Sequence, residues 1–325
     1  NVGIVTVRDH RLDKLAAIVN PKQVLPTTVE FVDIAGLVRG ASKGEGLGNQ
    51  FLGNIRSTDA VVHVVRCFED ENVVHVEGGV DPIRDIEVVE TELLLADMET
   101  VGKRCDKAKK MAKSGDKKII AEAALLERLQ AWVDSEKPAR TFEYDDTEEA
   151  MFKGLCLLTA KPVLYVANVD EDSVIDGNDY VERVRTHAAE VGAGVVLISA
   201  AIESEIAELE EDEKGEMLES LGLDESGLDR LSREGYTLLG LQTYFTAGPK
   251  EVRAWTIKKG MKAPQAAGVI HTDFERGFIR AQVIDYDDYV SLEGEAGAKS
   301  AGKLKVEGKD YVVQDGDVMH FLFNV

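Results

Sequence analysis

The residues best suited to chemistry follow a short apolar strand near the start of the chain. Val29–Asp33 is rich in β-branched and aromatic residues, which predicts a β-strand ending at an aspartate, and Gly36 completes an Asp-x-x-Gly pattern. In P-loop hydrolases an aspartate at such a strand end helps to hold Mg²⁺, and the glycine amide contacts the γ-phosphate. Asp33 and Gly36 are therefore candidate nucleotide-site residues. A plain strand-to-loop turn is the alternative.

A glycine-rich stretch follows this strand. Gly44, Gly46 and Gly48 give the backbone freedom to rearrange between nucleotide states, as a switch loop does. They are not a phosphate-binding P-loop, because the sequence nowhere contains Gly-x-x-x-x-Gly-Lys-Ser/Thr, and Asn49 breaks the dinucleotide fingerprint. The chain opens at Asn1 on a predicted strand. We therefore expect the P-loop to precede Asn1, and this chain alone to be inactive.

A second motif follows the apolar run 163–167. Asn168 and Glu171 occupy the positions of Asn and Asp in the Asn-Lys-x-Asp base motif of GTPases, and Val169 replaces the lysine. The longer acid cannot hold the two hydrogen bonds to the guanine edge in the same geometry, which argues against guanine preference. Ser199–Ala201 ends the next strand and matches the loop that touches the base in this fold. A helix-start asparagine is the alternative reading of Asn168.

The elements that position these residues form an α/β pattern interrupted by helices. A helical hairpin is predicted at 91–135, because apolar residues recur at helical spacing on both sides of a Ser-Gly-Asp turn at 114–116. A small β-rich domain is predicted from about residue 241. The apolar runs that indicate strands of the α/β part are 2–7, 28–33, 60–68, 163–169 and 195–200.

Composition excludes several classes of protein. A net charge of -22 repels polyanions as a whole, so nucleic-acid contact must be local; Lys103–Lys118 is the local exception, with eight Lys/Arg against two Asp. No apolar run is long enough to span a membrane, and three distant cysteines indicate neither a disulfide framework nor a zinc site. We expect a cytoplasmic protein.

The quoted motifs together resemble the YchF (Obg-like ATPase) family. Further matching segments span the whole chain, namely His63–Phe68, Ala200–Leu209, Leu241–Gly248, His271–Ile279 and Asp315–Val325. The resemblance implies an α/β P-loop NTPase fold: an Obg-type G domain at 1–90 and 141–240, an inserted coiled-coil hairpin at 91–140 and a C-terminal TGS domain of β-grasp type at 241–325.

The resemblance also implies an activity and its residues. Family members bind and hydrolyse ATP in preference to GTP with Mg²⁺, associate with ribosomes, and are expected to be monomeric. By this carry-over Asn168, Val169 and Glu171 face the adenine, Ser199, Ala200 and Ala201 back it, and Asp33 holds Mg²⁺ through water. Leu37 stands where related GTPases keep a catalytic glutamine. His75 matches a histidine proposed to replace it, with a surface or packing residue as the alternative, and His63 is expected to be structural.

A rival hypothesis treats the chain as a ribosome- or RNA-binding module with vestigial hydrolysis. It rests on the absent P-loop motif, the TGS resemblance and the basic end of the predicted hairpin. The alternative for that end is a solubilising charge cluster. The residues that would contact rRNA are Lys109, Lys110, Lys113, Lys117 and Lys118.

Overall fold

The computed structural model describes residues 1–34, 47–73 and 78–324 of the 325-residue chain. Contacts divide these residues into two compact units. The first unit contains Asn1 and Val32–Gly227, and the second contains Val2–Phe31 and Leu228–Val325. Across the described ranges, no helix is both long and apolar enough to cross a membrane.

The strands and helices alternate along most of the chain. The strands are β1 (Val2–Val7), β2 (Gln23–Leu25), β3 (Thr27–Val32), β4 (Val61–Arg66), β5 (Val163–Asn168), β6 (Gly194–Ile198), β7 (Leu241–Ala247), β8 (Glu251–Lys258), β9 (Phe278–Ile284), β10 (Lys305–Glu307) and β11 (Val318–Phe323). The helices are α1 (His10–Val19), α2 (Leu47–Arg56), α3 (Pro82–Ala112), α4 (Lys117–Asp134), α5 (Glu149–Lys153), α6 (Asp179–Val191), α7 (Ala200–Glu208), α8 (Glu211–Ser220), α9 (Gly227–Leu238), α10 (Ala263–Ile270), α11 (Thr272–Arg276), α12 (Tyr286–Ser291) and α13 (Glu295–Ser300).

The first unit is built on a parallel sheet of order β4-β5-β6. Arg66 pairs with Asn168, and Asn168 pairs with Ile198, so the carboxyl ends of all three strands lie at one edge. Helix α6 connects β5 to β6, begins at the N-cap Asn178 and ends at Gly192, whose φ of 68° favours glycine. The predicted α/β pattern of this part is confirmed.

The two long helices α3 and α4 fold back against each other. Asp81 caps the start of α3 just before Pro82, and Asp116 caps α4 after a turn in which Gly115 has a φ of 81°. Buried aliphatic residues of both helices form one core. The predicted hairpin is therefore present, with α3 starting nine residues earlier than expected, because Asp-Pro supplies a helix-start signal ahead of the apolar repeat.

A buried carboxylate fixes α3 to the segment that leads into β5. The side chain of Asp97 is fully buried and accepts hydrogen bonds from Leu158 N (2.8 Å), Thr159 N (2.7 Å) and Thr159 Oγ1 (2.6 Å). Thr159 Oγ1 also accepts a bond from Ala139 N (2.9 Å) beyond the end of α4. The middle of α3 and the segment that follows α4 are thus anchored to the same short segment.

The second unit is built on a six-stranded sheet of order β10-β9-β11-β7-β8-β2. One set of buried side chains, including Tyr244 and Phe321, packs with the alanines of α10, and another, including Phe245 and Val318, packs with α1 and Tyr289 of α12. The β-rich domain predicted from about residue 241 is confirmed as this sheet. The apolar run Tyr311–Val313 has the composition of a strand, but Val312 forms only an isolated bridge with Lys262, and the next strand is β11.

Residues Val2–Phe31 lie with the C-terminal residues. Strand β2 pairs in parallel with β8, and Leu12 and Leu15 of α1 are buried in the core that contains Phe245. The sequence-based boundaries assigned this stretch to the G domain. By packing it belongs to the second unit, because α1 buries its apolar side against the sheet of that unit.

Candidate functional site

Two strand-end loops of the first unit are joined by one side chain. Asn168, the last residue of β5, accepts a hydrogen bond at Oδ1 from Ala200 N over 3.0 Å. Main-chain bonds from Cys67 N to Asn168 O (2.8 Å) and from Val169 N to Ile198 O (2.9 Å) fix the same junction. Asn168 and the Ser199–Ala201 loop are therefore brought together, as the sequence predicts.

The loop after β6 is exposed except for its serine. Ala200 and Ala201 are exposed, whereas Ser199 has only 1% of its surface accessible. The Oγ of Ser199 has no hydrogen-bond partner in the described part of the chain. An unpaired buried hydroxyl costs about 1–3 kcal/mol.

The two residues that distinguish the base motif from that of GTPases lie in different surroundings. Val169 is 3% exposed and packs in the core with Val174 and Val181. Glu171 is exposed and begins a single turn of 3-10 helix that is capped by Asp170. Glu171 is therefore accessible to a ligand in this structure, while Val169 is covered by protein.

The residues predicted for the phosphate side are only partly described. Asp33 is exposed directly after β3, and its amide donates a hydrogen bond to Asn1 O over 2.9 Å. Strand β3 pairs with β1 and belongs to a different sheet from β4, β5 and β6. Gly36, Leu37, the predicted switch glycines Gly44 and Gly46, and His75 lie outside the described residues.

Metal chemistry at this site depends on Asp33. A carboxylate is a suitable oxygen ligand for Mg²⁺, directly or through water, so the residue type fits the predicted ion. Among the described residues, no group of three or more His, Cys, Asp or Glu side chains forms a cage for a metal ion.

His63 of β4 lies within the sheet unit rather than at the strand ends. Burial lowers the pKa of His63 to about 4, which Glu90 and Asp85 oppose in part, and so the imidazole is neutral at pH 7. Its ring centroid is 5.8 Å from that of Tyr165, whose hydroxyl donates to Glu90 over 2.7 Å. These contacts favour the expected structural role.

Sequence reasoning missed two side chains that support the loops. Asn178 donates from Nδ2 to Cys67 O over 2.8 Å and so links the start of α6 to the loop after β4. Glu203, buried in α7, accepts a bond at Oε1 from Gly227 N over 2.7 Å. Asparagine is a preferred residue at a helix N-cap, so the role of Asn178 could have been predicted from the sequence. The role of Glu203 could not, because its partner Gly227 lies 24 residues away in the chain.

The predicted ribosome-contacting lysines are all at the exposed turn between α3 and α4. Lys109 lies 3.4 Å from Glu127 and is the one whose charge is partly compensated. Within the described residues, the others have no carboxylate within 4.0 Å; they are Lys110, Lys113, Lys117 and Lys118. Met111 and Ile120 are about half exposed beside them. The turn therefore carries uncompensated positive charge.

Comparison with known proteins identifies two families along the chain. Residues 10–120 match the profile of MMR_HSR1, described as 50S ribosome-binding GTPase. Residues 241–324 match the profile YchF-GTPase_C, described as a protein of unknown function.

Relatives match over the full chain. A protein of Bacillus subtilis named ribosome-binding ATPase YchF is 59% identical, with 100% of this chain and 89% of that protein aligned, and its Escherichia coli O157:H7 namesake is 56% identical with the same coverage. The solved structure of the Schizosaccharomyces pombe YchF GTPase superposes with a TM-score of 0.89 at 38% identity, covering 99% of this chain and 87% of the yeast one. The chain has the α/β P-loop GTPase fold and belongs to the YchF family.

Proposed function

We propose that this chain acts in a ribosome-associated, Mg²⁺-dependent ATPase switch that hydrolyses ATP more readily than GTP. The observation that carries the proposal is the bond between Asn168 Oδ1 and Ala200 N, which joins the two loops that would hold the base. The relatives named ribosome-binding ATPase support it at the level of the family.

Base recognition falls to the loops after β5 and β6. Among the described residues, Asn168 Nδ2 and the buried hydroxyl of Ser199 have no hydrogen-bond partner, and Glu171, three positions after Asn168, is exposed. Ala200 and Ala201 would shape the pocket against the adenine, and Val169 would support the loop from the core. The carboxylate of Glu171 can accept the exocyclic amine of adenine, which guanine does not carry at that ring position.

The phosphate side involves Asp33 and Gly36. When bound, Mg²⁺ neutralises charge on the phosphate oxygens. Asp33 would orient a water ligand of the ion, and the amide of Gly36 would donate to the γ-phosphate. His75 is the proposed catalytic group that orients the attacking water. This sequence contains no Gly-x-x-x-x-Gly-Lys-Ser/Thr motif, and it spans 89% of the length of the relatives named ribosome-binding ATPase, so the activity is proposed for a full-length protein of that kind.

The remaining proposals concern organisation. Residues 91–140 would act as a coiled-coil insertion and 241–325 as a TGS domain, with the G domain at 1–90 and 141–240. The protein would be a cytoplasmic monomer that contacts rRNA through the lysines at the turn between α3 and α4.

The nucleotide proposal is tested by hydrolysis assays on the full-length gene product. We expect Mg²⁺-dependent release of phosphate from ATP, slower release from GTP, and strong loss of ATP turnover in His75→Ala with ATP affinity retained. Absence of Mg²⁺-dependent hydrolysis of either nucleotide would sink the ATPase proposal. Tighter binding of GTP than of ATP would overturn the nucleotide preference alone.

A second candidate function, RNA or ribosome binding without a hydrolytic cycle, is favoured by the uncompensated lysines. Reversal of Lys109, Lys110, Lys113, Lys117 and Lys118 to Glu should weaken ribosome co-sedimentation at least about tenfold, because each lost phosphate contact removes counterion release. The matched control reverses five exposed lysines of the second unit, namely Lys250, Lys259, Lys299, Lys305 and Lys309. Equal loss in both variants would show a general charge effect and remove the turn as a binding surface.

A further inference from the structure

The last residue of β4 binds the loop that follows this strand. Arg66 donates hydrogen bonds from its guanidinium to three backbone carbonyls of residues 68–73. The distances are 3.1 Å from Nε to Phe68 O, 3.1 Å from Nη2 to Asp70 O and 2.8 Å from Nη1 to Val73 O. Each nitrogen of one guanidinium therefore has an acceptor in the same short loop.

Residues 70–73 of this loop form a turn with little support of its own. Val73 N donates to Asp70 O over 3.2 Å, and Asn72 N donates to Asp70 Oδ1 over 2.8 Å. All four residues are exposed, and Val73 has 45% of its surface accessible. A turn without buried side chains has low local stability. The bonds of Arg66 to Asp70 O and Val73 O therefore hold both ends of the turn.

The start of the loop is fixed to the strand end that carries the base motif. Arg66 pairs with Asn168 in the sheet, and Cys67 N donates to Asn168 O over 2.8 Å. Cys67 O accepts a bond from Asn178 Nδ2, also over 2.8 Å. Arg66 thus stands on a fixed strand end and reaches from there to the exposed turn.

We propose that Arg66 is a positioning residue for the reaction: it holds the loop after β4 and thereby restricts His75. The inference rests on the proposed ATPase function and adds a residue to it. His75 is two positions after Val73 and outside the described residues. Since two residues span at most about 7 Å, a fixed Val73 limits the space open to a residue two positions further on. Misplacing a catalytic group by about 1 Å can cost about 100-fold in rate.

The contacts require the shape of a guanidinium and not only its charge. Three nitrogens of one planar group reach the carbonyls of Phe68, Asp70 and Val73. The guanidinium carbon also lies 4.7 Å from the ring centroid of Phe68, within the range of a cation–π contact. A lysine has a single nitrogen on a flexible stem and cannot hold all three carbonyls in this geometry. Arg66→Lys should therefore resemble Arg66→Ala more than wild type.

Steady-state hydrolysis of Mg²⁺-ATP by the full-length gene product tests the inference. The values of kcat and KM are measured for wild type, Arg66→Ala, Arg66→Lys, His75→Ala and the double variant Arg66→Ala/His75→Ala. Arg128→Ala is the matched control, since Arg128 is an exposed arginine of the same unit that pairs with Glu148 over 2.6 Å. Hydrogen–deuterium exchange of peptides covering residues 68–73 is measured without nucleotide, and circular dichroism checks folding.

We expect Arg66→Ala to lower kcat at least about tenfold with KM within about threefold, and Arg128→Ala to keep both. Exchange at residues 68–73 should rise at least about threefold in Arg66→Ala, because the turn loses its main support. In the His75→Ala background, Arg66→Ala should lower kcat by less than about twofold, because the group that it positions is already absent.

The two proposals fail in different ways. Absence of hydrolysis in wild type would refute the proposed function. Hydrolysis in wild type with an unchanged kcat in Arg66→Ala would overturn the positioning role alone. Unchanged exchange at residues 68–73, equal losses of kcat with and without His75, or full activity of Arg66→Lys would also overturn it. Should Arg66→Ala unfold, Arg66→Lys decides, because it keeps the charge and most of the side chain.

Discussion

Acid should destabilise the first unit through His63 of β4. The pKa of His63 is lowered to about 4 by burial, with Glu90 and Asp85 opposing the shift and His187 adding to it. In the unfolded chain a histidine titrates near 6.5. The unfolded state therefore binds more protons between these two values, so stability is full above about pH 6.5 and falls as the pH drops toward 4.

The size of this effect follows from the two pKa values. Proton linkage gives a loss of about 2 kcal/mol in the free energy of unfolding between pH 7 and pH 5. His63→Gln keeps a polar side chain of similar length that does not titrate. Between pH 7 and pH 5, the free energy of unfolding of the variant should therefore fall by about 2 kcal/mol less than that of the parent.

Urea unfolding at pH 7 and pH 5 measures the difference. The chain has two tryptophans, Trp132 in the first unit and Trp255 in the second. The parent and His63→Gln are both made with Trp255→Phe, so that the fluorescence of Trp132 reports unfolding of the first unit. His271→Gln, an exposed position of the second unit, is the control and should behave like the parent. Identical pH dependence in the parent and in His63→Gln would refute the assignment of the proton to His63.

Three other predictions follow from buried and exposed side chains. Asp97→Ala should lower the free energy of unfolding by about 3–5 kcal/mol, because three donors at Leu158 and Thr159 lose their acceptor; exposed Asp106→Ala on the same helix is the control in urea denaturation. A thiol reagent should modify exposed Cys156 within minutes but spare Cys67, because burial raises the pKa of the Cys67 thiol to about 12. Mass spectrometry of the labelled peptides measures both sites, and faster labelling of Cys67 would contradict the prediction. In the full-length gene product, Asn168→Ala should weaken ATP binding about tenfold, and exposed Asn54→Ala should not; equal affinities by calorimetry would contradict the role of Asn168.

Much of the first unit could be predicted because its signals are local. The apolar runs at 60–68, 163–169 and 195–200 predicted β4, β5 and β6, and their polar ends placed Asn168 and Ser199 at neighbouring strand ends. The hairpin followed from helical spacing and from Gly115 in its turn. These features follow from the spacing of apolar residues and from the residue types found at turns. Both can be read from one sequence.

The features that could not be predicted depend on contacts between distant residues. In the sequence, Asp97 looks like any acidic residue on an amphipathic helix. Its carboxylate oxygens accept hydrogen bonds from backbone amides more than 60 positions away, and the sequence gives no sign of that contact. Val2–Phe31 has the alternation of an ordinary βαβ unit, and only packing of Leu12 and Leu15 shows that it lies with the C-terminal sheet. Val169 reads as a ligand-facing residue because of its place in a motif, yet the core occupies its side chain.

The surroundings of the base motif limit what each residue can contribute to nucleotide choice. Asn168 uses Oδ1 for Ala200 N, which leaves its amide protons for an acceptor, and N7 is an acceptor in both adenine and guanine. A bond from that amide to N7 would therefore provide affinity without selecting the base. Val169 is buried and offers no polar atom. Selection between ATP and GTP must then rest on groups that can reach the Watson–Crick edge. Among the described motif residues, Glu171 has an exposed polar side chain with that chemistry, whereas the hydroxyl of Ser199 is buried.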